Sequence, residues 1–594
     1  MRTSQNIPAV TSLSLMLVAG TCVGTALAQD STVQASTSTP IRHVIVVVGE
    51  NRTFDNLFAT YVPPGGQTIA NLLSRGIVRA DGTPGPNYAQ ALQRIARQDG
   101  RYSVTPQRAG SYAVLPQPYA DGSFGQRQDV PDERFPGDMP PGPFQITRYV
   151  NFGAHTGDPA HRFFQMWQQY DGGRQDLFVW VGETIGFGGE NGVPGLVPGH
   201  TYQGGVAMGF YNMQSGDAPY FRTLAERFAI ADNYHQPVMG GTGPNFYALA
   251  TGDVASYVLD GQPARPPANQ IENPEPLPGS DNWYRHDGYR GGSYVACADR
   301  DQPGVAAVYQ YLDRLPYIPF RHGNCAPGTY YLVNNYEPGY SSAGVPAVLG
   351  PDRFVVPPQE TPNIGQALSE KGVSWKWYAG GRGDGQHPDK EYCTICDPFT
   401  YSRTVMNGVL RQNLVDGADF YRDVKDAGHF PAVAFITPYD SVSGHPGYAM
   451  EPSYDGFVAD IVDKVRSNPA LWRNTVILVT FDEGGGYYDS GYIQPIDFFG
   501  DGTRIPLIAV SPWVKTGYVD HTYYDHVSIL KFIEHNWGLF PLSGRSRDNL
   551  PNPQHSAASP YVPLNRPAIG DLMNLFDFSA PRAAADVSSA GGGG

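Results

Sequence analysis

The sequence predicts an α/β protein built on a mostly parallel central sheet, and three observations carry that reading. Two short β-branched runs, His43-Val44-Ile45-Val46-Val47-Val48 and Thr475-Val476-Ile477-Leu478-Val479-Thr480, lack the alternation of a half-exposed strand and read as strands buried on both faces. Each run leads into a polar cluster, Gly49-Glu50-Asn51-Arg52-Thr53-Phe54-Asp55 and Phe481-Asp482-Glu483-Gly484-Gly485-Gly486, at the strand end where open α/β sheets bind ligands. Between them, strand-like and helix-like segments alternate, which implies a sheet covered on both sides.

In chain order, residues 1–28 have the layout of a secretory signal peptide: Met1 and Arg2, a polar stretch, an apolar run over 13–23, and Ala26-Leu27-Ala28 before the expected cleavage point. The apolar run is well short of the roughly 20 residues of a spanning helix, and no later segment reads as transmembrane. Residues 29–40 are rich in Ser and Thr and read as a flexible lead-in. Further strands are expected at 373–378, 432–436 and 506–510. Helices are expected at 220–228, at 246–250, at 456–466, where Phe457, Ile461, Val462 and Val465 share a face, and at 527–537, where Ile529, Phe532 and Ile533 do. From 255 to 360 the alternation fails in a stretch rich in Pro, Gly, Asn and Tyr, which reads as a loop-rich insertion, a candidate lid. Residues 41–577 form one domain with long loops, and 578–594 read as a disordered tail.

Composition narrows the function. A net charge of −15 without a basic patch argues against a nucleic-acid partner, which requires neutralised phosphates. Among 594 residues, 70 Gly, 53 Pro and 37 Tyr imply much ordered loop. Removal of the leader takes Cys22 and leaves Cys297, Cys325, Cys393 and Cys396, an even number that favours disulfides in an oxidising compartment. Of the three connectivities we expect the local one, Cys297 with Cys325 and Cys393 with Cys396. The competing zinc reading of Cys393-Thr394-Ile395-Cys396 lacks a second closely spaced pair.

A hard divalent cation needs oxygen ligands held at strand ends or in short loops. Glu50 and Asn51 offer one carboxylate and one amide carbonyl; Asp482 and Glu483 offer two more carboxylates. Singly, each reads as a cap or turn residue. Two such pairs, each directly after a buried strand, point to a metal site. A third element is Gly240-Gly241-Thr242-Gly243-Pro244-Asn245 ahead of a helix, where a hydroxyl and backbone N–H groups face an anion. A neighbouring cation would make the Thr242 hydroxyl a nucleophile.

On these residues the chain resembles the bacterial phosphoesterases that comprise AcpA-type acid phosphatases and phosphocholine-preferring phospholipases C. Glu50-Asn51-Arg52-Thr53-Phe54-Asp55 is similar to that family's opening motif, Asp482-Glu483-Gly484-Gly485-Gly486 to its late motif, and Thr242 to its nucleophilic Ser/Thr position. The resemblance runs from about 41 to 540. It implies an alkaline-phosphatase-like three-layer sandwich with a divalent metal, identity open, held by Glu50, Asn51, Thr242, Asp482 and Glu483. It also implies catalytic histidines, matched by His161, His445 and, more weakly, His526, with His161, His445 and Asn245 binding substrate. Where the family often has Asp-His-Val after the late motif, this chain has Asp489-Ser490-Gly491.

The resulting expectation is a periplasmic or secreted acid phosphatase that forms a phosphothreonine at Thr242. The chain leaves no room for the C-terminal β modules of the longer phospholipases, which favours the phosphatase branch. A phospholipase C cleaving phosphocholine-type diesters is the alternative, and a non-catalytic secreted binding protein a third reading. The partner is a small phosphate ester or a phospholipid headgroup.

Overall fold

The two β-branched runs lie side by side at the centre of an eight-stranded sheet. A computed structural model describes residues 36–118, 131–159, 161–185, 204–278, 280–282, 291–321, 325–447 and 451–581; the expected signal peptide and nearly all of the expected tail lie outside them. The strands are β1 (His43–Gly49), β2 (Ala229–Ala231), β3 (Trp375–Ala379), β4 (Leu414–Asp416), β5 (Val433–Thr437), β6 (Thr475–Phe481), β7 (Leu507–Val510) and β8 (Tyr518–Asp520). Their order is β4-β3-β5-β1-β6-β7-β2-β8. Only β7 runs against its neighbours; the other pairings are parallel.

Every residue of β1 and β6 is buried, so both faces of the sheet are covered, and strand alternation shows by what. Val46 pairs with Phe435, Phe435 with Trp377, and Trp377 meets Phe246 edge-on; this face carries α2 (Thr242–Thr251), the second of four helices that bear on the site. Gly49, three residues from Val46, points to the opposite face, where a side chain on it would strike the Tyr454 ring. That ring belongs to α3 (Glu451–Arg466), which packs on α1 (Pro219–Arg227), whereas α2 packs on α4 (Val527–Trp537). The result is a three-layer α/β arrangement with a mostly parallel sheet, as expected.

The strand runs at 43–48, 373–378, 432–436, 475–480 and 506–510 all form, with ends moved by up to two residues. The face of α3 is Val458, Ile461, Val462 and Val465, with Phe457 only half-buried. The helix expected at 246–250 starts earlier, at Thr242. β2, β4 and β8 were not expected, because three residues are too few to show a period.

The described part of 255–360 carries its own order: helix Val305–Leu312, a two-stranded ladder of Tyr294–Val295 with Tyr331–Leu332, and the Cys297–Cys325 disulfide. It shares an apolar cluster with Phe163, Phe164, Trp167, Phe498 and Phe499. The other expected disulfide, Cys393–Cys396, is also present. The flexible lead-in does not extend over residues 36–40: Ser38 N donates to Asn536 O, and Thr39 Oγ1 to Asn536 Oδ1, both on α4.

Candidate metal and nucleophile centre

The register of β1 and β6 builds the centre. Gly49 pairs with Phe481, so the residues that follow, Glu50 and Asp482, leave the sheet together. Asp482 N donates to Gly49 O (2.9 Å) and Arg52 N to Glu483 O (3.1 Å). Asn51 sits in the left-handed region at φ 63°, which turns its N–H onto Asp482 Oδ1 (3.1 Å). Asn tolerates this conformation better than most residues. Gly485, at φ 60°, lies so close that a Cβ there would come within 2.7 Å of Asn51 Cβ, and its N–H donates to Glu483 Oε2 (2.7 Å).

Thr242 opens α2, with Gly241 as N-cap, and its hydroxyl faces the Asp482 carboxyl. Gly243 N donates to Asn335 Oδ1 (2.8 Å), so the 255–360 stretch reaches the turn that carries Thr242. The structure thus brings together Glu50, Asn51, Thr242, Asp482 and Glu483, all but Thr242 less than 5% exposed.

Burial pushes the Asp482 carboxyl up to about 7. Glu50 and Glu483 are also held well above the usual carboxylate range, first by burial and then by repulsion from neighbouring carboxylates, Asp482 foremost. Asn51 Oδ1, Asp482 Oδ2 and Glu483 Oε1 are buried without a hydrogen-bond partner. Buried polar atoms are normally paired, and an acidic cluster of this density needs a compensating cation. By donor type these residues suit a hard divalent ion with all-oxygen ligation.

His161 and His445 approach the cluster from one side. His161 Nδ1 donates to Pro159 O (2.7 Å), which turns Nε2 toward Glu483 Oε1 at 3.6 Å. His445 Nδ1 accepts from Gly447 N (3.3 Å), leaving Nε2 3.8 Å from Asp158 Oδ2. Asp158 also stands 3.9 Å from His161 Nδ1. Burial lowers His445 to about 4, and Asp158 works against that fall. Asp158 was not singled out in the sequence, although it stands three positions before His161 and an acid at that spacing was a readable signal.

Two expected roles need correction. His526 is not exposed to the site: its Nε2 donates to Asp482 O (2.7 Å) and its Nδ1 accepts from Tyr234 OH (2.7 Å). It braces the Asp482 backbone from behind. Asn245 spends its amide inside the nucleophile turn, accepting from Val238 N and donating toward the carbonyls of Val238, Gly240 and Gly241. With no amide atom left for substrate, it holds the turn that presents Thr242.

The sheet and its ends define an α/β protein with an acidic, hydroxyl-bearing centre at the carboxyl ends of two central strands. The sequence profile of the phosphoesterase family matches residues 41–540, and the chain belongs to that family. It is 24% identical to the hemolytic phospholipase C of Pseudomonas aeruginosa over 93% of this chain and 58% of that protein. It is 24% identical to phospholipase C B of Mycobacterium tuberculosis over 91% and 79%. A protein described as a probable acid phosphatase from Kluyveromyces lactis is 31% identical over 36% of this chain and 51% of its own length. The chain thus spans little more than half of some of these relatives. Among solved structures, an alkaline phosphatase superfamily protein from Vibrio parahaemolyticus is similar over 36% of this chain and 59% of its own, at 13% identity and a TM-score of 0.22.

Proposed function

We propose that the chain is an exported, metal-dependent hydrolase of phosphoric esters that works through Thr242. One observation carries this: the Thr242 hydroxyl faces Asp482 among buried oxygens of Asn51, Asp482 and Glu483 that have no hydrogen-bond partner. A divalent cation would be held by Glu50, Asn51, Thr242, Asp482 and Glu483, and would supply charge neutralisation and a lowered hydroxyl pKa.

The chain's own groups do the rest. Thr242 Oγ1 attacks phosphorus in line, its proton passing toward Asp482, and the P–O bond to the alcohol breaks as phosphothreonine forms. The leaving oxygen takes a proton from His161 or His445 Nε2, a transfer worth about 10²–10⁴-fold. Water then attacks the phosphothreonine, releasing phosphate and returning the proton to Thr242. The N-terminus of α2 points its dipole at the phosphoryl oxygens.

The phosphomonoester reading comes first and draws on the acid phosphatase relative. The diester reading is favoured by relatives named phospholipase C that span nearly all of this chain. Export rests on the leader and on two disulfides; no helix among the described residues is long and apolar enough to cross a membrane. The test is hydrolysis of p-nitrophenyl phosphate and p-nitrophenylphosphorylcholine, with and without chelator. Faster monoester turnover establishes the phosphatase, and faster diester turnover the phospholipase C. Chelator-resistant turnover, or an active Thr242→Ala protein, overturns the mechanism.

A further inference from the structure

The Cys393–Cys396 disulfide lies against a metal ligand. Cys396 Sγ is 2.9 Å from Glu50 Oε1, and one ligand atom each from Glu50, Cys393 and Cys396 lie within 4.8 Å of one another. The loop that carries the sulfurs is anchored on either side. Arg382 Nη1 bonds Tyr392 OH (3.0 Å) and Asp397 Oδ2 (3.2 Å), and Tyr392 OH donates to the same carboxylate (2.9 Å). Thr394 Oγ1 donates to Glu337 Oε2 (2.6 Å). Ile395, between the cysteines, lies near Gly243 beside Thr242: a Cβ on that glycine would come 3.8 Å from Ile395 Cβ. Cys393 is half-buried and so open to a reductant, whereas Cys396 faces inward.

We infer that reduction of this disulfide converts Glu50, Cys393 and Cys396 into a three-ligand site for a soft divalent ion such as zinc or cadmium. With a phosphine reductant the S–S bond breaks, phosphorus takes the oxygen of water to become phosphine oxide, and the two protons of that water end on the two sulfurs. The metal then displaces both thiol protons to solvent and forms two metal–sulfur bonds and one bond to a Glu50 oxygen. A tetrahedral ion with metal–sulfur bonds of about 2.3 Å needs its sulfurs about 3.7 Å apart, so once the S–S bond opens the two side chains turn away from each other on Cα atoms that stand 5.3 Å apart. Thiolates select soft ions, whereas Asn51, Asp482 and Glu483 select hard ones. Glu50 therefore serves the oxygen centre while the disulfide is intact and the sulfur site once it is open. Capture of the ion rests on this geometry alone; its effect on turnover rests on the proposed function.

The experiment uses the full processed protein, reduced with tris(2-carboxyethyl)phosphine, freed of reductant without air, and titrated with cadmium. The readouts are the thiolate-to-cadmium ultraviolet band and bound metal per protein. We expect no band from the oxidised protein and a saturable band from the reduced one. The band is lost in Cys393→Ser/Cys396→Ser, weakened in Glu50→Gln and kept in Cys297→Ser/Cys325→Ser. Should a double variant fail to fold, protection of Cys393 and Cys396 of the reduced native chain from alkylation by cadmium gives the same answer. A reduced protein without the band, a band unchanged in Cys393→Ser/Cys396→Ser, unprotected thiols, or a Cys393–Cys396 bond that resists the phosphine overturns the inference. Loss of p-nitrophenyl phosphate turnover on cadmium loading is expected as well. Capture with turnover intact would instead sink the catalytic role of Glu50.

Discussion

Asn51 and Asp482 hold each other in place: Asn51, at φ 63°, donates its N–H to Asp482 Oδ1 across 3.1 Å, while its own side-chain amide stays buried without a partner. A side chain that is costly to bury and gains nothing from the protein is one kept for a ligand. Asn51→Ala removes that buried amide, worth about 1–3 kcal/mol, and adds about 1–2 kcal/mol for Ala in the left-handed region. The two nearly cancel. Thermal unfolding with chelator should be almost unchanged, whereas the rise in Tm on adding a divalent cation should be lost.

Thr242 separates nucleophile from ligand. It is the first residue of α2 and Gly241 is the cap, so Thr242→Ala costs little helix stability. Turnover should fall by about 10³-fold or more, as loss of a nucleophile does, with bound metal reduced far less. Thr242→Ser, which keeps the hydroxyl, should retain turnover. Steady-state kinetics alongside metal analysis of the three proteins checks this.

The acidic cluster sets a pH dependence for the chelated protein. Asp482 is raised to about 7 in the folded chain, first by burial, against about 4 when unfolded. The folded state therefore binds more protons, and stability falls as pH rises from about 4 to about 7, with Glu50 and Glu483 adding in the same direction. A divalent cation takes the place of those protons. Tm measured against pH should decline across this window with chelator and stay flatter with metal.

The two strand-then-acid clusters were legible because β1 and β6 are uninterrupted apolar runs and glycine-rich turns follow at once. The register that sets Glu50 beside Asp482 was not, since strand pairing across more than 400 positions leaves no local trace. The roles of His526 and Asn245 were hidden for a related reason. Their partners, Tyr234 and the Asp482 carbonyl in one case and the carbonyls of Val238, Gly240 and Gly241 in the other, are defined by tertiary placement or backbone direction. The disulfides were readable by counting, but the contact of Cys396 with Glu50 was not.

Asp158 stands against both histidines. Its carboxylate lies 3.8 Å from His445 Nε2 and counters the fall that burial imposes on that ring, which rests at about 4. Asp158→Asn removes the counterweight, so the His445 proton is lost at still lower pH. If His445 protonates the leaving oxygen, the limb on which activity falls with rising pH should move to lower pH in Asp158→Asn. In His445→Ala kcat should drop by about 10²-fold or more. A pH–rate profile of each variant decides the matter.

The Asp489-Ser490-Gly491 segment is organised around Arg504. This buried guanidinium makes two 2.9 Å contacts with Asp489 and one of 3.2 Å with Asp55, while Ser490 N and Oγ donate to Asp55 Oδ2. The pair of Asp55 and Asp489 ties the opening motif to the late one. A side chain at Gly491 would collide with the guanidinium, so a Val there is incompatible with Arg504 as placed. Arg504→Ala leaves two carboxylates buried and uncompensated and should cost about 3–5 kcal/mol, read as a fall in Tm. Gly491→Val should destabilise through the clash, and Arg504→Ala/Gly491→Val should recover the steric part of that loss but not the electrostatic part. Additive losses in the double variant would show that the two residues do not constrain each other.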